Sequence, residues 1–207
     1  MTLLIFTQIF FVCLIGAMSP GPSMVVVVNN AIYKNRYHGI LTSIGHGIGI
    51  TIYAIFAVIG IGLIIKKNII IFNSIKIISI AFLIYLGIKS LFNNKQISFD
   101  QKKLSGSITS FFEGLTIAVL NPKIFIWFVA IYSQFMTSKN DILFNVYLVM
   151  TAGIVDASWY VFLTIMATSD VALSFLKNKS NVLQKILGFV FIILGIGLTI
   201  DLYLTIK

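Results

Sequence analysis

Three polar interruptions break an otherwise apolar chain: Ser19-Pro20-Gly21-Pro22-Ser23, Asn121-Pro122-Lys123, and Asp156, set between Gly153-Ile154-Val155 and Ala157-Ser158-Trp159. Ser19-Pro20 and Asn121-Pro122 each have the form of a helix N-cap followed by proline at the first helical position, where its missing N–H costs nothing. Each can therefore begin a half-helix, whose free amides and positive dipole end attract an anion such as a carboxylate. Gly21 lets the backbone approach a ligand closely, and the side chains of Ser19, Ser23 and Asn121 supply neutral hydrogen-bonding groups. Asp156 costs about 2.5–3.5 kcal/mol to place at the centre of a membrane helix. It can be protonated, pair with Lys123, or hold a substrate ammonium group. Lys123 stands beside a half-helix N-terminus, an unfavourable place for a cation, so it needs a counter-charge or helps to hold a carboxylate.

Other polar residues carry weaker signals. His46 lies in Gly45-His46-Gly47-Ile48-Gly49, where the glycines read as close helix packing and the imidazole can relay a proton. Lys76 reads as a structural charge whose head snorkels to the interface, and Glu113 and Asp201 as interfacial. Cys13 is the only cysteine, which excludes an internal disulfide and any CxxC centre. No Gly-rich phosphate loop, HExxH, GxSxG or cysteine cluster is present, so the sequence shows no apparatus for nucleotide hydrolysis or metal-dependent catalysis. It points to no enzyme, no cofactor and no resident metal.

The elements that must position these residues are membrane spans. Of 207 residues, 58% are hydrophobic and 10% charged, and the mean hydropathy is +1.02. Six apolar stretches meet the requirement of about 20 residues per span: 3–32, 39–65, 69–91, 108–135, 142–168 and 182–204. The expected fold is an all-α integral membrane protein with spans 1 and 4 broken near the midplane. One domain is expected, made of a first three-helix repeat (1–92), a cytoplasmic linker (93–107) and a second repeat (108–207). An odd number of spans per half makes the repeat inverted, and the breaks recur at an offset of 102 residues, Pro20 to Pro122. Broken helices in matching halves point to a transporter's substrate site.

The charge of +9 is spread over short connections and forms no patch with stacking aromatics, which argues against nucleic acid. One side carries Lys34, Arg36, Lys89, Lys95, Lys102, Lys103, Lys177, Lys179 and Lys185, the other Lys66, Lys67, Lys139 and Lys207. The richer side is cytoplasmic by the positive-inside rule, which puts both termini outside.

These residues resemble the lysine and homoserine/threonine exporters, the LysE/RhtB-type translocators, over almost the whole chain. The likeness is carried by Ser19-Pro20-Gly21-Pro22 with Gly39, Gly45 and Gly49; by Lys76, Ala81, Tyr85, Leu86 and Gly87; by Phe112, Gly114, Asn121, Pro122, Lys123 and Gln134-Phe135; by Asp156 with Trp159; and by Gly188, Gly195 and Gly197. The chain departs from the family at Ser23, where Asp or Asn is usual, and at Ser133, where Pro is usual. The resemblance implies a multi-pass protein of the bacterial inner membrane that exports amino acids or similar small zwitterions by proton antiport, and leaves a homodimer open. An inorganic cation exporter is the alternative. A membrane-embedded enzyme using Asp156, His46 and Ser19 is a more distant one.

Overall fold

A computed structural model describes residues 3–92, 106–137 and 141–206. The described residues form helices and short joints, without a strand. The expected linker lies outside them apart from Gly106 and Ser107, as do Lys95, Lys102, Lys103, Lys139 and Lys207 of the charge count.

The helices are α1 (Leu3–Met18), α2 (Pro22–Asn29), α3 (Arg36–Lys67), α4 (Ile69–Phe92), α5 (Ser107–Val119), α6 (Pro122–Phe135), α7 (Ile142–Ala167) and α8 (Asp170–Ile206). A π-helical turn, Asn30–Lys34, continues α2. Alone, α1 spans about 24 Å and falls short of a bilayer core of about 30 Å. Across their breaks, α1 with α2 and its π turn, and α5 with α6, are long and apolar enough to cross, bent by 69° and 57°. With α3, α4, α7 and residues 181–204 of α8 there are four continuous spans, or six when each bent pair counts as one. The chain is an all-helical membrane protein.

Both breaks fall where the prolines are, but they start differently. In α6, Asn121 is the N-cap, its side chain accepting from the backbone N–H of Lys123 at 3.1 Å, with Pro122 opening the helix. In α2 the expected cap at Ser19 and start at Pro20 are not found: Gly21 is the N-cap, extended at φ 178°, and Pro22 opens the helix. The residue before a proline is pushed out of the α region, so a helix cannot begin ahead of Pro22. The sixth span is found at 181–204 within a longer helix, since α8 begins at Asp170. The polar stretch between contains no Pro or Gly to stop it.

Helix α3 is the hub, packed on α5 along one side and α7 along another, while α4 packs on α8 and α6, and α1 on α7. Glycines set these approaches. A Cβ at Gly45 would run into the Phe111 carbonyl, one at Gly114 into the Thr42 carbonyl, and one at Gly47 would stand 2.6 Å from Ala157 Cβ. Gly87 of α4 and Gly188 of α8 meet in the same way. Most glycines of α3 and α8 are thus spent inside the bundle, although Gly60 and Gly197 face open space. Outward faces carry Ile48, Phe56, Ile59, Ile78, Ile154 and Ile193, as lipid requires. Backbone cannot recede as a side chain can, so Gly45→Ala is expected to cost about 1–3 kcal/mol, whereas Gly60→Ala should stay within about 0.5 kcal/mol. Thermal unfolding in detergent checks this, and equal midpoints for the two variants would contradict it.

Candidate functional site

The two breaks face each other. Asn121 Nδ2 donates to Ser23 Oγ at 3.4 Å, and the Lys123 ammonium crosses from the start of α6 to the end of α1, donating to Ser19 Oγ and, at 3.4 Å, to the Pro20 carbonyl. This resolves the odd placement of Lys123. Its backbone sits at a positive helix end, but its charge is delivered to the carbonyl end of α1, where cations are stabilised. No carboxylate is needed, and the pairing of Lys123 with Asp156 that the sequence allowed is not formed.

Asp156 pairs instead with His46, whose Nδ1 lies 2.6 Å from Asp156 Oδ2. Both are buried, His46 at 1% exposure and Asp156 at 5%. The other ring nitrogen, Nε2, is buried with no hydrogen-bond partner among the described residues. The His46 ring meets Tyr160 edge-on at 4.7 Å. Position is fixed by the glycines on either side of His46, Gly45 closing on α5 and Gly47 on α7.

These groups line a cavity of about 60 Å³, room for a few waters. Ser19, Gly21, Ser23, His46, Asn121, Lys123 and Asp156 line it, and Pro20 and Pro22 do not. The prolines act by breaking and starting helices. Lys76 is elsewhere, half-buried on α4 with Nζ 5.2 Å from the centre of the Phe72 ring and Asp201 of α8 near enough to act on it. Sequence reasoning missed Cys13, Trp127, Tyr132 and Tyr160, all in the wall. A signal was available: Trp127 and Tyr160 follow Lys123 and Asp156 by four residues, one helical turn on the same face.

Chemically the wall presents one cationic side chain, one carboxyl group hydrogen-bonded to imidazole, and neutral donors and acceptors on apolar and aromatic ground. Among the described residues no three His, Cys, Asp or Glu side chains gather as a metal site would need. Two apolar clusters adjoin it, sharing Tyr132 and Tyr160 with its wall. Toward the start of α1, Ile9, Val12, Tyr132, Phe144 and Leu148 pack together, with the Tyr132 hydroxyl donating to the Leu148 carbonyl at 2.8 Å. Toward Lys34, Met24, Val27, Val28 and Ala31 meet Tyr160, Leu163 and Ala167.

The sequence profile of the LysE type translocator family matches residues 14–202, a stretch containing both breaks, His46 and Asp156. The chain belongs to the LysE type translocator family. Among similar proteins, the uncharacterized membrane protein YrhP of Bacillus subtilis (strain 168) is 31% identical over 192 residues, covering 86% of this chain and 90% of its own. The threonine efflux protein of Escherichia coli (strain K12) is 28% identical over 139 residues, 65% of this chain and 68% of its own. The uncharacterized membrane protein YahN of the same strain is 30% identical over 151 residues, 70% and 67% of the two chains. No solved structure matches significantly. In this translocator the buried imidazole–carboxyl pair should behave as a unit: His46→Leu or Asp156→Leu alone is expected to cost about 3–5 kcal/mol, and the double substitution less than the sum. Thermal unfolding of the three variants measures the coupling, and additive losses would show that there is none.

Proposed function

We propose that this LysE type translocator exports amino acids, or similar small zwitterions, across the bacterial plasma membrane in exchange for protons. The observation that carries this is the convergence of both helix breaks and the His46–Asp156 pair on one cavity. A zwitterion needs opposite charges at two ends of its site. Lys123, Asn121 and Ser19 are suited to its carboxylate, and Asp156 to its ammonium group. The carboxyl–imidazole pair can instead take up a proton, so that proton and substrate exclude each other at Asp156, as exchange demands. With Ser23 where the family usually has Asp or Asn, Asp156 is the sole carboxylate in the wall among the described residues.

Transport then follows from two inverted three-helix halves, 1–92 and 108–207, rocking about the site. The packing of α3 on α7 and of α4 on α8 supports such an arrangement, because those helices are counterparts in the two halves. The lysine distribution supports placing the Lys34 face in the cytoplasm and both termini outside. The names of the threonine efflux relatives favour threonine as the first compound to try.

In cells fed a threonine-containing dipeptide, the protein should lower intracellular threonine and raise it outside, and a protonophore should abolish the difference. Asp156→Asn, which keeps a hydrogen-bonding group beside His46, should reach the membrane in normal amount yet slow export at least about tenfold, the loss equivalent to about 1.4 kcal/mol. If no amino acid changes its distribution when the whole pool is profiled, the substrate class is wrong; unaltered export by Asp156→Asn removes that residue from the mechanism.

A further inference from the structure

The walls of the central cavity are not equally firm, because a side chain is held only as well as the atoms behind it allow. Trp127 lies on Gly16, where a Cβ would stand 2.6 Å from the indole nitrogen, and it meets Phe191 of α8 at 5.2 Å between ring centres. Tyr132 is tied to the Leu148 carbonyl at 2.8 Å, and Tyr160 belongs to the cluster of Met24, Val27 and Leu163. Phe128 is backed differently. Behind it lies a recess of about 470 Å³ between α3, α4 and α6, lined by apolar side chains and Tyr53, and among the described residues Phe128 is the one that lines both spaces. Phe56 and Phe125, also in the recess, are well exposed, so it opens toward lipid. The buried Phe128 ring stands edge-on to Tyr132 of the cavity wall at 5.0 Å and nearly parallel to Tyr53 of the recess at 6.3 Å. The Tyr53 hydroxyl donates to the Val119 carbonyl, which holds that ring in place.

A cavity of about 60 Å³ leaves an amino acid little space beyond its ammonium and carboxylate groups. Among the described residues its wall holds one ammonium, Lys123, and one carboxyl group, Asp156. A zwitterion uses both, and a charged side chain would then be buried without a partner. We propose that Phe128 is a specificity-determining residue, the partition that shuts the cavity off from the α3–α4–α6 recess and so restricts substrates to small, uncharged side chains. Truncating another wall residue frees its own volume, whereas truncating Phe128 joins the recess to the cavity and admits large apolar side chains. This rests on the amino-acid reading above.

The test uses the purified full-length protein in liposomes loaded with a mixture of the proteinogenic amino acids, with the outside acidified and each released compound counted by mass spectrometry. The wild type should release glycine, alanine, serine and threonine at least about tenfold faster than phenylalanine, lysine or glutamate. Phe128→Ala should raise the ratio of phenylalanine to threonine released at least about tenfold and leave lysine and glutamate behind, since the recess offers them no charge. Phe125→Ala, which widens the recess but keeps the partition, should show the wild-type ratio. Because the ratio is read within one sample, a variant that only folds less well lowers every rate together. Should Phe128→Ala give no cooperative unfolding transition in detergent, Phe128→Leu takes its place, with a smaller shift in the same direction. An unmoved ratio, a fall of all rates together, an equal shift in Phe125→Ala, or an equal gain for lysine overturns the role of Phe128. So does a wild type that passes phenylalanine as fast as threonine. Any of these alongside amino-acid release by the wild type refutes this inference alone, whereas wild-type vesicles that release no amino acid faster than protein-free ones refute the proposed function and this inference with it.

Discussion

Interrupted backbone inside a membrane must find its partners within the protein, because lipid offers none. Here each break supplies what the other lacks. The end of α1 leaves carbonyl groups unpaired, and Lys123, carried by the second break, brings an ammonium group to Ser19 and the Pro20 carbonyl. Asn121 caps its own helix through its oxygen and reaches Ser23 of the first break through its nitrogen. Neither break could stand facing lipid. Their mutual satisfaction forces them together at one place, and a cavity lined by polar atoms is what results.

Burying Asp156 follows from the same logic. A carboxyl group in this interior needs a partner whose position is held firmly, and His46 is held because α3 can approach α5 and α7 to backbone distance on both sides of it. Three glycines on α3, Gly45, Gly47 and Gly49, with Gly114 and Gly153 opposite, leave no room for a Cβ. The spacing-two pattern that looked like packing and the histidine that looked like chemistry are one device: the first determines where the second can be.

Much of this was legible because strong physical rules act locally. Hydropathy located the spans, and proline located both breaks and the α6 cap. What local rules missed were choices made by tertiary contact. Gly21 rather than Ser19 caps α2, though here Pro22 offered a local reason that outranked the Ser-Pro pattern. Lys123 reaches across to another helix instead of pairing with the acid. Asp156 and His46, 110 positions apart, meet only because of how α3 and α7 cross, which no single-helix periodicity records. Glu113 read as interfacial, yet it is the centre of a network joining α5, α3 and the π turn.

That network differs in kind from the closure on the opposite side. Toward the start of α1 the cavity is bordered by apolar and aromatic packing, whose separation would expose hydrocarbon with nothing gained in return. Toward Lys34 an apolar layer is backed by charged and amide groups, which can trade one hydrogen-bonding partner for another, including water or a polar solute, at little net cost. The π turn between them is itself an irregularity of the kind found at hinges and functional sites. A solute arriving from water with hydrogen-bonding groups of its own can therefore compete for the second closure far better than for the first. An exporter needs that inequality on its loading face, which is the Lys34 side in the orientation proposed above.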